Sequence, residues 1–158
     1  MEENELDDCK QPKAYKKLFY ALCYFHANVI ERKKFGAIGW NIRYNFTLED
    51  LGVSTRQLKN FLNDFDDIPY EVIRFITADI NYGGRVTDYI DGILSKCIIN
   101  KYVVPEALSD DYYYSETKNY RSPPEGNKAS YLKFIDALPR HSAPEAFGLH
   151  ENAEITTN

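Results

Sequence analysis

The chain has little of what nucleic-acid-binding or membrane-spanning proteins need. It holds 19 Lys and Arg against 24 Asp and Glu, a formal net charge of −5, without a basic block. Phosphate binding requires clustered Lys and Arg, so nucleic acid is not an expected partner. No apolar run approaches the roughly 18 residues of a membrane-spanning helix, so no membrane partner is expected. The acidic first residues lack the positive charge that opens a signal peptide.

Motifs of the common catalytic and metal sites are also missing. The sequence contains no GxxxxGK[ST] phosphate loop, no GxSxG elbow and no HExxH pair. His26, His141 and His150 fall in different predicted elements. Asp66 and Asp67 could act as acid and base, but adjacent acids in a loop are expected to be solvated. We therefore predict no catalytic residue, no metal site and no cofactor of the chain's own.

Cysteine is scarce. Cys9, Cys23 and Cys97 follow no metal-ligand spacing, and an odd number without a disulfide framework suggests a reducing compartment. Cys23 and Cys97 lie in apolar helical stretches, so we expect both to be small core residues.

What the sequence does contain favours a helical core. Its 158 residues are 44% hydrophobic and 15% aromatic, which suits a single domain. Pro12 predicts the first turn of a helix. The apolar residues from Leu18 to Ile30 follow helical spacing over a wide face. His26 lies on this helix, and we interpret it as a hydrogen-bonded core histidine rather than a ligand or a base.

Residues 35–46 are predicted to form an ordered aromatic loop. Gly36 and Gly39 break the first helix, and the only tryptophan, Trp40, precedes an alternating apolar pattern typical of extended chain. We expect Trp40 to pack against the helices. Stacking on a base or another ligand is the alternative, which the lack of basic surroundings disfavours.

Three further helices are indicated by start signals and apolar stripes. The start signals are Thr47 with Asp50, Ser54 with Gln57, Pro69 after Asp67, and Thr87 or Asp88. The stripes, of the kind that faces a core, are Leu58, Phe61, Leu62 and Phe65; Val72, Ile73, Ile76 and Ile80; and Val86, Ile90, Ile93, Leu94 and Cys97.

A Gly-Gly-Arg turn separates the last two of these helices. Gly83 and Gly84 stop one helix and free the backbone for a sharp turn. Arg85 then lies at or just before a helix N-terminus, where the dipole mildly disfavours a cation. We expect a carboxylate, a carbonyl or an anion to hold this side chain.

The predicted fold class is all-α: a small helical bundle with the aromatic loop and a loop-rich C-terminal extension. Pro105 predicts one turn of helix, and Tyr131 to Leu138 a short helix that ends at Pro139. The chain divides into a flexible lead-in (1–11), a helical domain (12–104), a connector rich in proline and tyrosine (105–129) and a C-terminal segment (130–158).

Four strings together carry a resemblance to a known family. They are LFYALCYFHANVIERKKFGAIGWNIRYNF, RQLKNFLNDFDDIPYEVIRFI, NYGGRVTD and PEAFGLHENAEIT. The chain resembles the dynein heavy chain over nearly its whole length. The similar part is the helical AAA+ lid of the sixth module (12–104) and the start of the C-terminal region (130–158). The segment FHANVIERKKFGAIGWNIRY is more similar to axonemal than to cytoplasmic heavy chains.

The resemblance implies a part of a motor. Dynein heavy chains fold six AAA+ modules into a ring that hydrolyses ATP and moves toward microtubule minus ends. The sixth module binds no nucleotide, and ATP and Mg belong to other modules. Implied partners are the neighbouring modules and the C-terminal region of the same chain, with other dynein subunits and microtubules reached through the parent. The implied location is the cytoskeleton, in the axoneme of a cilium or flagellum, or otherwise the cytoplasm.

Three hypotheses for function follow. The first is a non-catalytic lid in which Trp40, Gly83, Gly84 and Arg85 are structural or interface residues. Its unpaired faces would leave apolar patches exposed. The second is a nucleotide-sensing lid, because an arginine at the start of a lid helix can reach phosphates in AAA+ proteins and Arg85 occupies such a position. The third is an unrelated adaptor that binds peptide in a groove lined by Trp40 and the first helix.

Replacing Trp40 with alanine tests the packed loop. We expect Trp40→Ala to lower the free energy of unfolding by roughly 3–5 kcal/mol, the usual cost of emptying a large aromatic site. Chemical denaturation measures this, and a loss below about 1 kcal/mol would mean that the indole is exposed.

Overall fold

The computed structural model describes residues 5–141 and 143–149, and their secondary structure is helical. Within them no strand forms, only an isolated antiparallel bridge between Tyr113 and Arg121. The predicted all-α class is confirmed. The helices, with short 3₁₀ turns at 105–108 and 144–147, are α1 (Pro12–Glu31, followed by 3₁₀ turns to Ile38), α2 (Leu48–Asp64), α3 (Tyr70–Phe75, continued by a π-helical turn to Asn81), α4 (Tyr89–Ile99) and α5 (Lys128–Asp136).

Helix α1 is the centre of the core. Pro12 occupies its first turn, as predicted, and Leu18, Leu22 and Phe25 are almost completely buried. The side-chain amide of Gln11, which precedes the helix, donates to backbone carbonyls at the end of α2. The start of α1 therefore meets the end of α2, and the two helices pack antiparallel.

Helix α2 begins at the first of its two predicted start signals. Thr47 and Asp50 form a reciprocal capping box, and the Thr47 N–H donates to Asp50 Oδ2 at 2.8 Å. The second predicted box, Ser54 with Gln57, is wrong. Ser54 lies inside α2 and donates to the Asp50 carbonyl instead, because the helix is already nearly two turns long at that point.

Helix α4 buries only part of its predicted apolar stripe, since Leu94 packs half-buried against the core. Asp88 caps it, as predicted, by accepting from the Asp91 N–H at 3.0 Å. The buried side carries Asp91 and Ser95, with Ile98 and Ile99 in its last turn. The stripe residues Ile90, Ile93 and Cys97 are exposed instead. The expectation that Cys97 is a core residue is therefore wrong, and Cys23 is only half-buried.

The segments before and after the helical domain also lie against it. Within the lead-in, Leu6 is buried and the Lys10 N–H donates to Asn63 on α2. These contacts differ from the flexible segment that the sequence predicts. The turn predicted after Pro105 is present, and the predicted short helix is α5. Completely buried Lys17 on α1 pairs with Asp110 of the connector, and this contact lowers the pKa of the Asp110 carboxyl. Residues 1–4, 142 and 150–158, including His150, lie outside the described residues, and the four-segment division stays a prediction.

The turn after α3 needs glycine for a steric reason. A Cβ atom on Gly83 would lie 2.3 Å from the Asp79 carbonyl oxygen and 2.6 Å from that of Ala78. Real Cβ atoms do not approach backbone oxygens so closely, so a side chain at this position forces the π-helical turn apart. Backbone contact, rather than a left-handed conformation, explains the glycine.

A pair of alanine substitutions tests this explanation. Gly83→Ala should destabilise the chain by about 1–3 kcal/mol because the backbone must move. Gly92→Ala, inside α4 with nothing within 4 Å of the added Cβ, should instead stabilise it by about 0.5–1 kcal/mol. Thermal and urea unfolding of both variants measure the difference, and equal effects would contradict the steric explanation.

Candidate interaction site around the Gly-Gly-Arg turn

Arg85 is held by a carboxylate, one of the three partners that the sequence suggests. Its Nε donates to Asp50 Oδ2 at 2.8 Å, and its Nη2 lies 3.4 Å from Thr47 Oγ1. The same Asp50 oxygen accepts from the Thr47 backbone. Arg85 therefore ties the turn to the cap of α2, and α4 begins four residues later at Tyr89.

Tyr82, which directly precedes the two glycines, anchors the turn in the core. Its ring is completely buried and lies 5.0 Å from the Phe25 ring and 5.5 Å from the Phe46 ring. Its hydroxyl and His26 Nδ1 are hydrogen-bonded at 2.7 Å. Burial lowers the pKa of His26, and the negative charge of Asp50 offsets part of this effect. The prediction of a core histidine is confirmed.

The aromatic loop is packed as the sequence predicts. Trp40 is only 3% exposed, and its indole N–H donates to the Val29 carbonyl at 2.9 Å. Its ring lies 5.6 Å from Tyr44 and 5.8 Å from Phe46. Phe46 also contacts Tyr82, so a chain of rings joins the loop to the Gly-Gly-Arg turn.

A buried carboxylate on α4 fixes the loop from one side. Asp91 is 2% exposed and accepts from the Asn41 N–H at 2.9 Å, the Ile42 N–H at 3.1 Å and the Tyr44 hydroxyl at 2.8 Å. Sequence reasoning missed Asp91. The available signal was an acid three residues after the Asp88 cap, on a helix otherwise rich in aliphatic residues.

A buried cation fixes the same loop from the other side. The Arg32 guanidinium donates to the Gly39 carbonyl at 3.1 Å and to the Phe147 carbonyl. Burial lowers the pKa of Arg32. Gly39 also lets the loop pack against the backbone of Arg32, because a Cβ there would lie 1.9 Å from the Arg32 carbonyl oxygen. The peptide groups from Gly39 to Ile42 thus lie between a cation at their oxygen side and an anion at their N–H side.

Comparison with known proteins identifies the family. The sequence model of the dynein heavy chain AAA lid domain matches residues 15–153. The chain belongs to this family. It is 43% identical over 148 residues to mouse dynein axonemal heavy chain 3, covering 94% of this chain and 4% of the relative. It is 44% identical over 155 residues to human dynein axonemal heavy chain 1 (98% and 4%), and 46% over 147 residues to human dynein axonemal heavy chain 12 (90% and 5%).

Exposed apolar side chains lie on α3, on its π-helical continuation and on α4 of this AAA lid. The side chains concerned are between 44% and 81% exposed. Asp79 of the π-helical turn and Lys96 of α4 pair at 3.4 Å between the two elements. We name this surface the lid face; it comprises Val72, Phe75, Ile80, Tyr89, Ile90 and Ile93.

Other kinds of site find no support in the part of the lid that the structure describes. Among residues 5–141 and 143–149, no group of three or more His, Cys, Asp or Glu side chains could hold a metal ion. No helix in those ranges has the length and apolar character needed to cross a membrane. Asp66 and Asp67, considered above as an acid–base pair, are exposed at the end of α2.

Removing the Asp91 carboxylate tests the clamp on the loop. Asp91→Ala leaves three donors without their acceptor and should lower the free energy of unfolding by about 2–4 kcal/mol. It should also shift the fluorescence of Trp40 toward that of a solvated indole. Asp111→Ala, an exposed acid in the connector, should change stability by less than about 0.5 kcal/mol. Equal effects of the two substitutions would contradict the assigned role.

Proposed function

We propose that this chain is a non-catalytic structural and interaction module of an axonemal dynein heavy chain. In this proposal it is the lid of the sixth AAA+ module in the ATP-driven ring of a minus-end-directed microtubule motor. The family match and the axonemal relatives support it. The chain spans only 4–5% of the length of the curated relatives it matches, so ATP hydrolysis and microtubule binding would belong to other regions.

The lid face is the observation that carries the proposal. Six exposed apolar side chains lie on adjacent helical elements, and a large exposed apolar patch is typical of an interaction surface. Such a face is suited to packing against another protein surface. Its partner would be a neighbouring AAA+ module or the C-terminal region of the same heavy chain. The parent would bring the lid to other dynein subunits and microtubules, in the axoneme of a cilium or flagellum.

Contacts within the lid disfavour both alternative functions. The Nε of Arg85 is already paired with Asp50, whose negative charge would repel a phosphate that approached the remaining guanidinium N–H groups. A peptide groove lined by Trp40 would need an exposed indole, and this indole is buried. The Gly-Gly-Arg turn is instead attached rigidly to α2, which suits a lid that transmits movement between neighbouring modules.

Charges placed on the lid face test the proposal in the parent. Ile90→Glu together with Ile93→Glu, in a full-length axonemal heavy chain, should reduce ATP-driven microtubule gliding at least about fivefold, the lower range of coupling between sites. Phe65→Glu, an exposed aromatic outside the lid face, is the matched control and should glide normally. Normal gliding of the double variant would overturn the role of the lid face.

Nucleotide titration distinguishes a lid that binds no nucleotide from a nucleotide-sensing lid. We expect no saturable change in the NMR signals of residues 83–86 when ATP or ADP is added to the chain. Saturable changes that disappear in Arg85→Ala would instead establish the nucleotide-sensing alternative.

A further inference from the structure

Gly92 lies in the interior of α4, where glycine weakens a helix. Glycine costs stability there relative to alanine, because its backbone loses more freedom on folding. The fold explains Gly83 and Gly39, since an added Cβ would lie 2.3 Å and 1.9 Å from a backbone oxygen. At Gly92 an added Cβ would meet nothing within 4 Å, and the backbone φ is not positive. Among the residues that the structure describes, no contact therefore requires glycine at this position.

The open space above Gly92 belongs to the lid face. Tyr89 and Lys96 lie one helical turn before and after Gly92, so the three positions share one side of α4. Tyr89 is 81% exposed. Lys96 pairs with Asp79, so this side of α4 adjoins the π-helical turn. A recess floored by the backbone of α4 therefore opens within the lid face, between the side chains of Tyr89 and Lys96.

The surroundings of this recess favour an apolar occupant. Lys96 and Asp79 offset each other's charge in an ion pair at 3.4 Å. The aliphatic stem of Lys96 and the ring of Tyr89 remain available for van der Waals contact. Because glycine has no Cβ, a side chain from outside could also approach the backbone of α4 closely. A large apolar side chain would use all of these surfaces.

The size of the lid face favours a partner on the same polypeptide. From the exposed fractions of its side chains and their ordinary areas, the face exposes about 600 Å². A contact that covers it would bury about 1,200 Å² in total, within the range for domains of one chain and at the lower limit for separate proteins. The chain spans only 4–5% of the length of its curated relatives. A partner elsewhere on so long a polypeptide would be held at high local concentration, so a contact of this size would suffice.

We propose that the recess above Gly92 receives a large apolar side chain from a neighbouring part of the same heavy chain, and that this contact sets the fit of the lid. The inference rests on the proposed role of the lid face and adds the residue that determines its shape. A side chain at position 92 would fill the recess and keep the two surfaces apart, because close-packed surfaces absorb little extra volume. Glycine at this position thus favours the contact at the expense of helix stability.

A second glycine inside a helix provides a matched control. Gly92→Leu fills the recess, whereas Gly52→Leu adds the same side chain to α2, outside the lid face. At Gly52 the nearest atom to an added Cβ is Arg56 Nη1 at 3.8 Å, an ordinary contact. Both variants should fold, since leucine favours a helix more than glycine does, and thermal unfolding of the isolated chain checks this. Gly92→Ala is the smaller version of the same change.

Cys97 reports whether the lid face is covered. It is exposed and lies one turn after Ile93 on α4. A maleimide should therefore label its thiol readily in the isolated chain. In a full-length axonemal heavy chain it should react at least about tenfold more slowly, because labelling must wait until the partner leaves. Mass spectrometry of the peptide that contains this cysteine measures both rates.

The variants then separate the recess from the lid face as a whole. In the full-length heavy chain, Gly92→Leu should restore fast labelling of Cys97 and Gly92→Ala should do so in part, whereas Gly52→Leu should stay protected. Slow labelling in every variant would overturn the recess and leave the lid face covered. Fast labelling of the unaltered heavy chain would overturn the proposed role of the lid face as well.

The oligomeric state tests the choice of partner. The isolated chain should sediment as a monomer at equilibrium, because the lid face alone is at the lower limit for association between separate proteins. A dimer that Ile90→Glu dissociates would overturn the assignment of the partner to the same polypeptide.

Discussion

The Asp91 carboxylate is the constraint on which the arrangement of the lid depends. It accepts two backbone N–H groups and one hydroxyl from the aromatic loop while it lies on the buried side of α4. A buried charge is costly unless its hydrogen-bonding capacity is used, so these bonds fix both partners at once. They hold the loop over α1, where Arg32 engages its carbonyl side. They also fix the rotation of α4, which leaves Ile90 and Ile93 to face outward.

Local chemistry made much of the fold predictable. Pro12, Thr47 with Asp50, and Asp88 act within one turn of the helix that each begins, so neighbouring residues reveal them. The burial of Trp40 and His26 could also be predicted, because both lie among apolar residues at regular spacing. Which side of α4 is exposed could not be predicted from the sequence. A stripe such as Ile90, Ile93 and Cys97 favours burial unless one knows that distant N–H groups bind Asp91.

Long-range pairing explains the remaining differences from the sequence predictions. The sequence suggested three kinds of partner for Arg85, but only the fold selects Asp50, 35 residues away. The same is true of Lys17 and Asp110, whose pairing joins the connector to α1. The predicted capping box at Ser54 failed because an earlier, stronger cap had already started α2. Sequence patterns give each residue's options, and tertiary contacts choose among them.

The sole indole has a spectroscopic consequence. Trp40 lies between the buried cation and the buried anion, in contact with Tyr44 and Phe46. The tyrosines around Tyr20 and Tyr24 cluster instead with Tyr114 and Tyr131, toward the connector and α5. Selective excitation of the indole therefore records the loop alone, whereas tyrosine absorbance records mainly the other region. The chain carries two natural chromophores with which the opening of its two halves can be timed separately.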